Sequence, residues 1–179
     1  NTKRRRLETL ALKAAQPTLV ADATRVYKQL CRAFSYKNII TIKNGVDCDK
    51  FRPQPITEAR AKLNLPLDKH IIGCAGRLEL VKGQDQLIKA LALLPANTIV
   101  AFAGVGSKRE QLAALTNKLQ LNERVIFLGL VEDMATFYGA LNVFCLPSRY
   151  EGLPLSTLEA QACNIPTVAM NVGAVDETL

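Results

Sequence analysis

The sequence predicts an α/β domain, a Rossmann-like parallel sheet with helices on both faces, and two observations predict it. From His70 onward, short apolar runs alternate with amphipathic segments, which is the pattern of repeated βα units. The residues suited to binding anions and hydroxyls follow the ends of those runs, where the loops of an open parallel sheet converge.

His70–Ala75 (HIIGCA) and Thr98–Ala103 (TIVAFA) read as buried strands, and Arg124–Leu128, Asn142–Leu146 and Thr167–Met170 follow. Between them, Gln84–Leu94 carries Leu87, Ile88, Leu91 and Leu94 at three- and four-residue intervals, so one helical face is apolar. Lys108–Leu119 repeats this with Leu112, Leu115 and Leu119. Asp133–Leu141 turns Phe137 and Leu141 inward, and Leu155–Cys163 packs Leu155, Leu158 and Ala162. The first 62 residues are organised differently. Ala21–Phe34 reads as a helix, Ile39–Ile42 as a short strand and Asn44-Gly45 as a turn. Phe51–Pro55 then interrupts with two prolines, as a hinge or linker would, before a short helix at Thr57–Leu63.

The 179 residues, 49% apolar, suffice for one well-buried domain with an appendage, which argues against disorder. A start at Asn1 rather than Met and a stop inside a motif-like stretch lead us to expect a piece of a longer protein. The net charge of +7 is uneven: residues 1–62 hold 14 Lys/Arg against 5 Asp/Glu, and residues 63–179 hold 9 against 11. The run Lys3-Arg4-Arg5-Arg6 has the sign of a nucleic-acid contact but no aromatic platform or recognition-helix pattern beside it, so no nucleic-acid partner is expected. A solvated run, or a face toward anionic lipid, fits better. Cys31, Cys48, Cys74, Cys145 and Cys163 are odd in number and lack C-x-x-C spacing, which favours reduced thiols over zinc or disulfides. No apolar stretch reaches the ~20 residues of a membrane span. Any membrane contact is therefore expected to be peripheral, and the location cytoplasmic, at the inner face of the membrane if bound there.

Arg77 and Lys82 share one strand-to-helix loop, ahead of a helix start whose free amides also attract anions, so a diphosphate suits them. Two ordinary surface cations would look the same in isolation. Gly104-Val105-Gly106 lacks the third glycine of G-x-G-x-x-G, because Arg109 stands there; NAD binding is poorly supported, and a tight turn with close backbone approach fits better. The strongest local signal is Pro147 through Glu159. Pro154 fits the first helical position, leaving the Leu155 and Ser156 amides pointing outward to hold phosphate. Glu151 precedes that helix and Glu159 lies within it, so the two carboxylates can reach opposite ends of one elongated ligand. Gly152 lets backbone come close beside Glu151. A helix-dipole role for either carboxylate is the structural alternative.

These motifs together, with Glu151 and Glu159 as an E-x7-E pair, Gly76-Arg77-Leu78, Lys82-Gly83, the Gly104–Gly106 loop, Arg124–Gly129, Pro147-Ser148 and Glu159-Ala160, resemble the retaining family 4 glycosyltransferases of the GT-B fold over about residues 35–179. The resemblance implies the C-terminal, donor-binding half of that fold. Residues 1–34 would be the remnant of the end of an N-terminal acceptor domain, 35–66 an interdomain linker with a short helix, and 67–179 the nucleotide-sugar-binding domain, truncated at its C-terminus. It implies that Arg77, Lys82 and Glu151 are catalytic, the cations neutralising the donor diphosphate and Glu151 positioning sugar hydroxyls. Gly76, Gly104, Gly106, Val131, Gly152, Leu155, Ser156 and Glu159 would bind the donor, Val131 at the base and Glu159 at the ribose. The donor would be a nucleotide sugar, a UDP-sugar above others, with no metal and no cofactor. The acceptor, a glycan or glycolipid in polysaccharide or lipopolysaccharide synthesis, would reach the site through the missing N-terminal domain. Asn44-Gly45-Val46-Asp47 and Phe51 resemble the family's domain crossing. Asn164 stands where the family has Gly after its helix, and Asn tolerates the left-handed cap conformation. Ala174–Glu177 approximates a glycine-rich segment near the donor, which would make Glu177 a site residue. A non-catalytic nucleotide- or anion-binding α/β module is the alternative reading.

Overall fold

The computed structural model describes residues 2–34, 36 and 38–179, without the side chains of Thr2, Lys3 and Arg5. Asn1, Ser35 and Lys37, which fall within the expected segments 1–34 and 35–66, lie outside the described residues, as do two side chains of the basic run at Lys3–Arg6. Five strands form an all-parallel sheet: β3 (His70–Ala75), β4 (Thr98–Ala103), β5 (Val125–Gly129), β6 (Val143–Leu146) and β7 (Thr167–Ala169). Their spatial order is β5-β4-β3-β6-β7. The chain therefore builds outward from β3 in one direction, then returns to build outward in the other. The crevice beside β3 and β6, where that direction reverses, is where such sheets take ligands.

The sheet follows from its apolar runs. All six residues of β4 are buried, as a central parallel strand covered on both faces must be. Successive side chains alternate between the two cores. Ile71, Ile99, Ala101 and Phe144 face one side, beneath α3 (Ile56–Lys62), α6 (Met134–Gly139) and α7 (Leu155–Ala162). Cys74, Val100 and Phe102 face the other, beneath α4 (Gln84–Leu91) and α5 (Arg109–Lys118). Helices on both faces are thus as expected. The packed stripe of α7 is only partly so: Ala162 packs against the core, but Thr157 and Ala160 are the buried residues and Leu155 is 42% exposed. Asn164 does adopt the left-handed conformation after α7, with φ 61°.

Arginines hold the N-terminal edge of the sheet. Arg60 on α3 is 3% exposed and donates to the carbonyls of Ala140, Pro66, Leu67 and Lys69 and to Asn142 Oδ1. Asn142 Oδ1 also accepts from the Ile71 amide, so one fork joins the starts of β3 and β6. Arg124 does the same for β4 and β5 through the carbonyls of Thr98, Leu91, Leu94 and Pro95.

The N-terminal segment forms a smaller unit. Helix α1 (Thr2–Ala15) leads to β1 (Leu19–Ala21), α2 (Thr24–Phe34) and β2 (Ile39–Thr41), with β1 and β2 parallel and in register from Leu19↔Ile39. The helix expected from Ala21 starts at Thr24, because Leu19–Ala21 pairs as a strand. Expected strand β2 therefore packs with residues 1–34, on Ala21, Tyr36 and Leu30, although it falls within the expected linker. Glu177 clasps this unit. Its carboxylate accepts from the Thr24 and Arg25 amides at 3.0 and 2.9 Å and pairs with Lys43 at 3.2 Å. Arg25 returns to the Gly173 carbonyl and to Asp176. Those amide bonds push the Glu177 carboxyl down to about 2. The expectation that Glu177 serves the donor gives way to a capping role at the start of α2.

Candidate functional site

A cleft of about 380 Å³ opens at the C-terminal edge of β3 and β6, lined among others by Gly76, Lys82, Tyr138, Glu151, Leu155, Ser156 and Glu159. Two loops build it. The first leaves β3 at Gly76, makes a short 3-10 turn at Leu80–Lys82 and enters α4 through Gly83. The second runs from Pro147 to Pro154 and enters α7. Gly83 holds a positive φ of 69°, and a Cβ there would collide with the Pro147 carbonyl, so the loops meet where no side chain fits. Arg149 fastens them: its amide donates to the Val81 carbonyl, and its guanidinium donates to the Leu80 carbonyl and grips Asp85 with two bonds of 2.8 Å. The Asp85 carboxyl is held below its ordinary range by those bonds.

Lys82 and Glu151 meet across the gap, Nζ to Oε1, at 2.7 Å. Glu151 is buried, and Ser148 Oγ donates to the same Oε1 at 2.5 Å. On the opposite wall, the Tyr138 hydroxyl donates to Glu159 Oε2 at 2.7 Å. Leu155 and Ser156 line the cleft at the start of α7, where no side chain caps the helix. Pro154 is one position outside the expected one: with ψ 115° it is the residue before the helix, not the first within it. Its carbonyl accepts from Thr157 Oγ1. Cys74 lies buried nearby, and burial together with Cys145 and Glu151 raises its thiol; Cys145 and Cys163 are likewise pushed up to about 11 by burial. All five cysteines are free, and they behave as apolar fillers or exposed thiols.

The expected site residues thus divide. Gly76, Lys82, Glu151, Leu155, Ser156 and Glu159 come together in one cleft. Arg77 occupies the same loop, yet its side chain is exposed and does not line the cleft. Gly104 and Gly106 stand behind the first loop, where their missing side chains make room for the Gly76 carbonyl and the Leu78 backbone. Their close approach is to protein backbone. Val131 is half-buried against the core, and Met134 lines the cleft instead. Gly152 sits at the mouth, where an added Cβ would lie 3.7 Å from Asp22 Oδ2 of the N-terminal unit. Tyr138 and Ser148 were not foreseen. Pro147-Ser148 stood in the motif, but nothing in sequence spacing distinguishes a serine that holds a carboxylate.

Among the described residues no group of three or more His, Cys, Asp or Glu could hold a metal ion. A larger hollow of about 520 Å³, at Gln161, Asn164–Thr167 and Leu179, contains no titratable side chain. The cleft at the switch point, by contrast, is lined by a cation, the uncapped start of α7 and two carboxylates. That suits a ligand with an anionic middle and hydroxyls at both ends.

Sheet order and helix placement together define an α/β domain of the doubly wound type. Residues 55–179 match the model of the group 1 glycosyl transferases, and the chain belongs to that family. It is similar to D-inositol 3-phosphate glycosyltransferase of Mycolicibacterium paratuberculosis, 38% identical over 143 residues that make up 76% of this chain and 32% of the relative. The same-named protein of Xylanimonas cellulosilytica is 35% identical over 176 residues, 90% of this chain and 42% of the relative. The chain thus spans about a third to two-fifths of the curated relatives it matches. Among solved structures, Anabaena HepE in complex with UDP-glucose superposes with a TM-score of 0.81 at 27% identity, covering 89% of this chain and 46% of that one. Sucrose-phosphate synthase of Thermosynechococcus elongatus does so with a TM-score of 0.84 at 28% identity, covering 99% and 46%.

Proposed function

We propose that this chain is the donor-binding part of a retaining glycosyltransferase that takes a sugar from a UDP-sugar to a glycan or glycolipid acceptor. The observation that carries the reading is the cleft itself: Lys82, the α7 amides, Glu151 and Glu159 line one space of about 380 Å³ at the switch point. The likeness to HepE, solved with UDP-glucose, supports the choice of base. In this reading Lys82 and the amides of Leu155 and Ser156 stabilise the leaving diphosphate, and Arg77 folds in from solvent to join them. Preorganised charge of this kind is usually the largest catalytic contribution. Glu151, held by Ser148 and Lys82, accepts from sugar hydroxyls, and Glu159 accepts from the ribose. Neither metal nor cofactor enters. The acceptor and the remaining catalytic groups come from the rest of the protein, acting in the cytoplasm or at the inner face of a membrane. No helix among the described residues is long and apolar enough to cross one.

One feature favours the non-catalytic module instead. Lys82 is already paired with Glu151, and Arg77 points to solvent, so the resting site offers little unpaired positive charge. Titration of the chain with UDP-, GDP- and ADP-sugars separates the two readings. The transferase reading expects UDP-sugars to bind in preference and Glu159→Ala, which removes the acceptor for the ribose that all three ligands share, to weaken the binding of each. Weak binding without preference, unchanged by the substitution, would contradict it.

A further inference from the structure

Tyr138 is fully buried, and its ring is fixed from three sides. Phe51, Phe137 and Phe144 meet it edge-on at centroid distances of 6.0, 5.7 and 5.4 Å. Such contacts favour defined ring angles, so the hydroxyl has little freedom in where it points. It points at Glu159 Oε2, 2.7 Å away. No other donor among the described residues bonds the Glu159 side chain, although that side chain is only half-buried and lines the cleft. Burial and the bond to Glu159 raise the phenol, which therefore keeps its proton and acts as a donor toward the carboxylate.

We propose that Tyr138 is a positioning residue that fixes the Glu159 carboxylate for a vicinal diol, so that the cleft selects nucleotides with free ribose hydroxyls over their 2′-deoxy counterparts. The inference rests on the donor-binding reading above and specifies how one end of the ligand is chosen. An ionised carboxylate only accepts hydrogen bonds. With Oε2 engaged by the phenol, the carboxylate cannot rotate without breaking that bond, and Oε1 stays available to the cleft. A ligand must then present O–H donors there. A ligand lacking one leaves a partly desolvated acceptor unpaired, and sites of that kind reject the deficient analogue strongly. Phe51 extends the support into the domain-crossing segment: the same ring that buries this segment braces the tyrosine from behind.

Calorimetric titration of the chain with UDP and with 2′-deoxy-UDP tests this, on wild type and on Tyr138→Phe, Glu159→Gln and Phe51→Leu. Wild type is expected to favour UDP by about tenfold. Tyr138→Phe retains the ring volume and is expected to reduce the preference to about twofold, chiefly by weakening UDP, and Glu159→Gln to remove most of it. Phe51→Leu, which touches no ligand, should reduce it to about fivefold by loosening the ring. A Tyr138→Phe variant that melts earlier yet retains the full preference makes the hydroxyl purely structural and overturns the proposal. Wild type that binds UDP and 2′-deoxy-UDP equally well also overturns it, leaving the donor-binding reading standing. Wild type that binds neither nucleotide overturns both.

Discussion

The two edges of the five-stranded sheet use charge in opposite ways. At the N-terminal edge, Arg60 and Arg124 donate to four carbonyls each, and Arg60 adds Asn142. Among the described residues neither meets a carboxylate in a salt bridge, and Arg60 loses some basicity through desolvation. At the C-terminal edge, Lys82 and Glu151 pair with each other, the Glu159 carboxylate has one hydrogen-bond partner among the described residues, and the α7 amides have no side-chain cap. The first edge is tied together by side-chain hydrogen bonds, and the second keeps acceptors and donors with fewer partners. In one sheet, the densely bonded edge serves stability, and the sparsely bonded edge is where the proposed function puts the ligand.

The largest expected effect comes from breaking the densely bonded edge. Arg60→Ala takes the donor from the buried Ala140 carbonyl and from three part-buried ones, and should destabilise the chain by about 3 kcal/mol, lowering Tm by roughly 6–12 °C in a thermal melt. The folded fraction should still bind UDP-glucose as wild type does. Next is the sparsely bonded edge: Lys82→Ala should weaken UDP-glucose by roughly 30-fold in calorimetry, about 2 kcal/mol, because it removes a charged donor and releases Glu151. Its melting temperature should fall less than that of Arg60→Ala. The smallest effect concerns neither edge. Glu177 has its carboxyl lowered from 4.5 to about 2, so its contribution is complete at neutral pH and fades as pH falls through that interval. Glu177→Gln should therefore lower Tm at pH 7, with the difference from wild type shrinking between about pH 4.5 and pH 2.

Much of this contrast was legible in the residues, and its limits have physical causes. β3 and β4 were placed to the residue because His70–Ala75 and Thr98–Ala103 are apolar runs buried inside the sheet. The Glu151 and Glu159 loop was legible because a proline and an E-x7-E spacing fall at a strand-to-helix junction. Arg60 and Arg124 were not, since a buried arginine that binds carbonyls has the same sequence context as an exposed one. Tyr138 reads as a core aromatic of α6, and only the fold brings its hydroxyl to a carboxylate 21 residues away. Gly104 and Gly106 were correctly read as points of close approach, but spacing does not say whether backbone or ligand approaches. Helix α1 escaped notice because its residues are mostly exposed and show little apolar periodicity.

Amide chemical-shift mapping of the chain during UDP-glucose titration addresses the division of the two edges most directly. Saturable shifts at Gly76, Lys82, Leu155, Ser156 and Glu159, with Arg60, Arg124 and Asn142 unmoved, are the predicted result. Shifts centred on the N-terminal edge, or on the hollow at Gln161 and Asn164, would place the ligand elsewhere and contradict the assignment of the cleft.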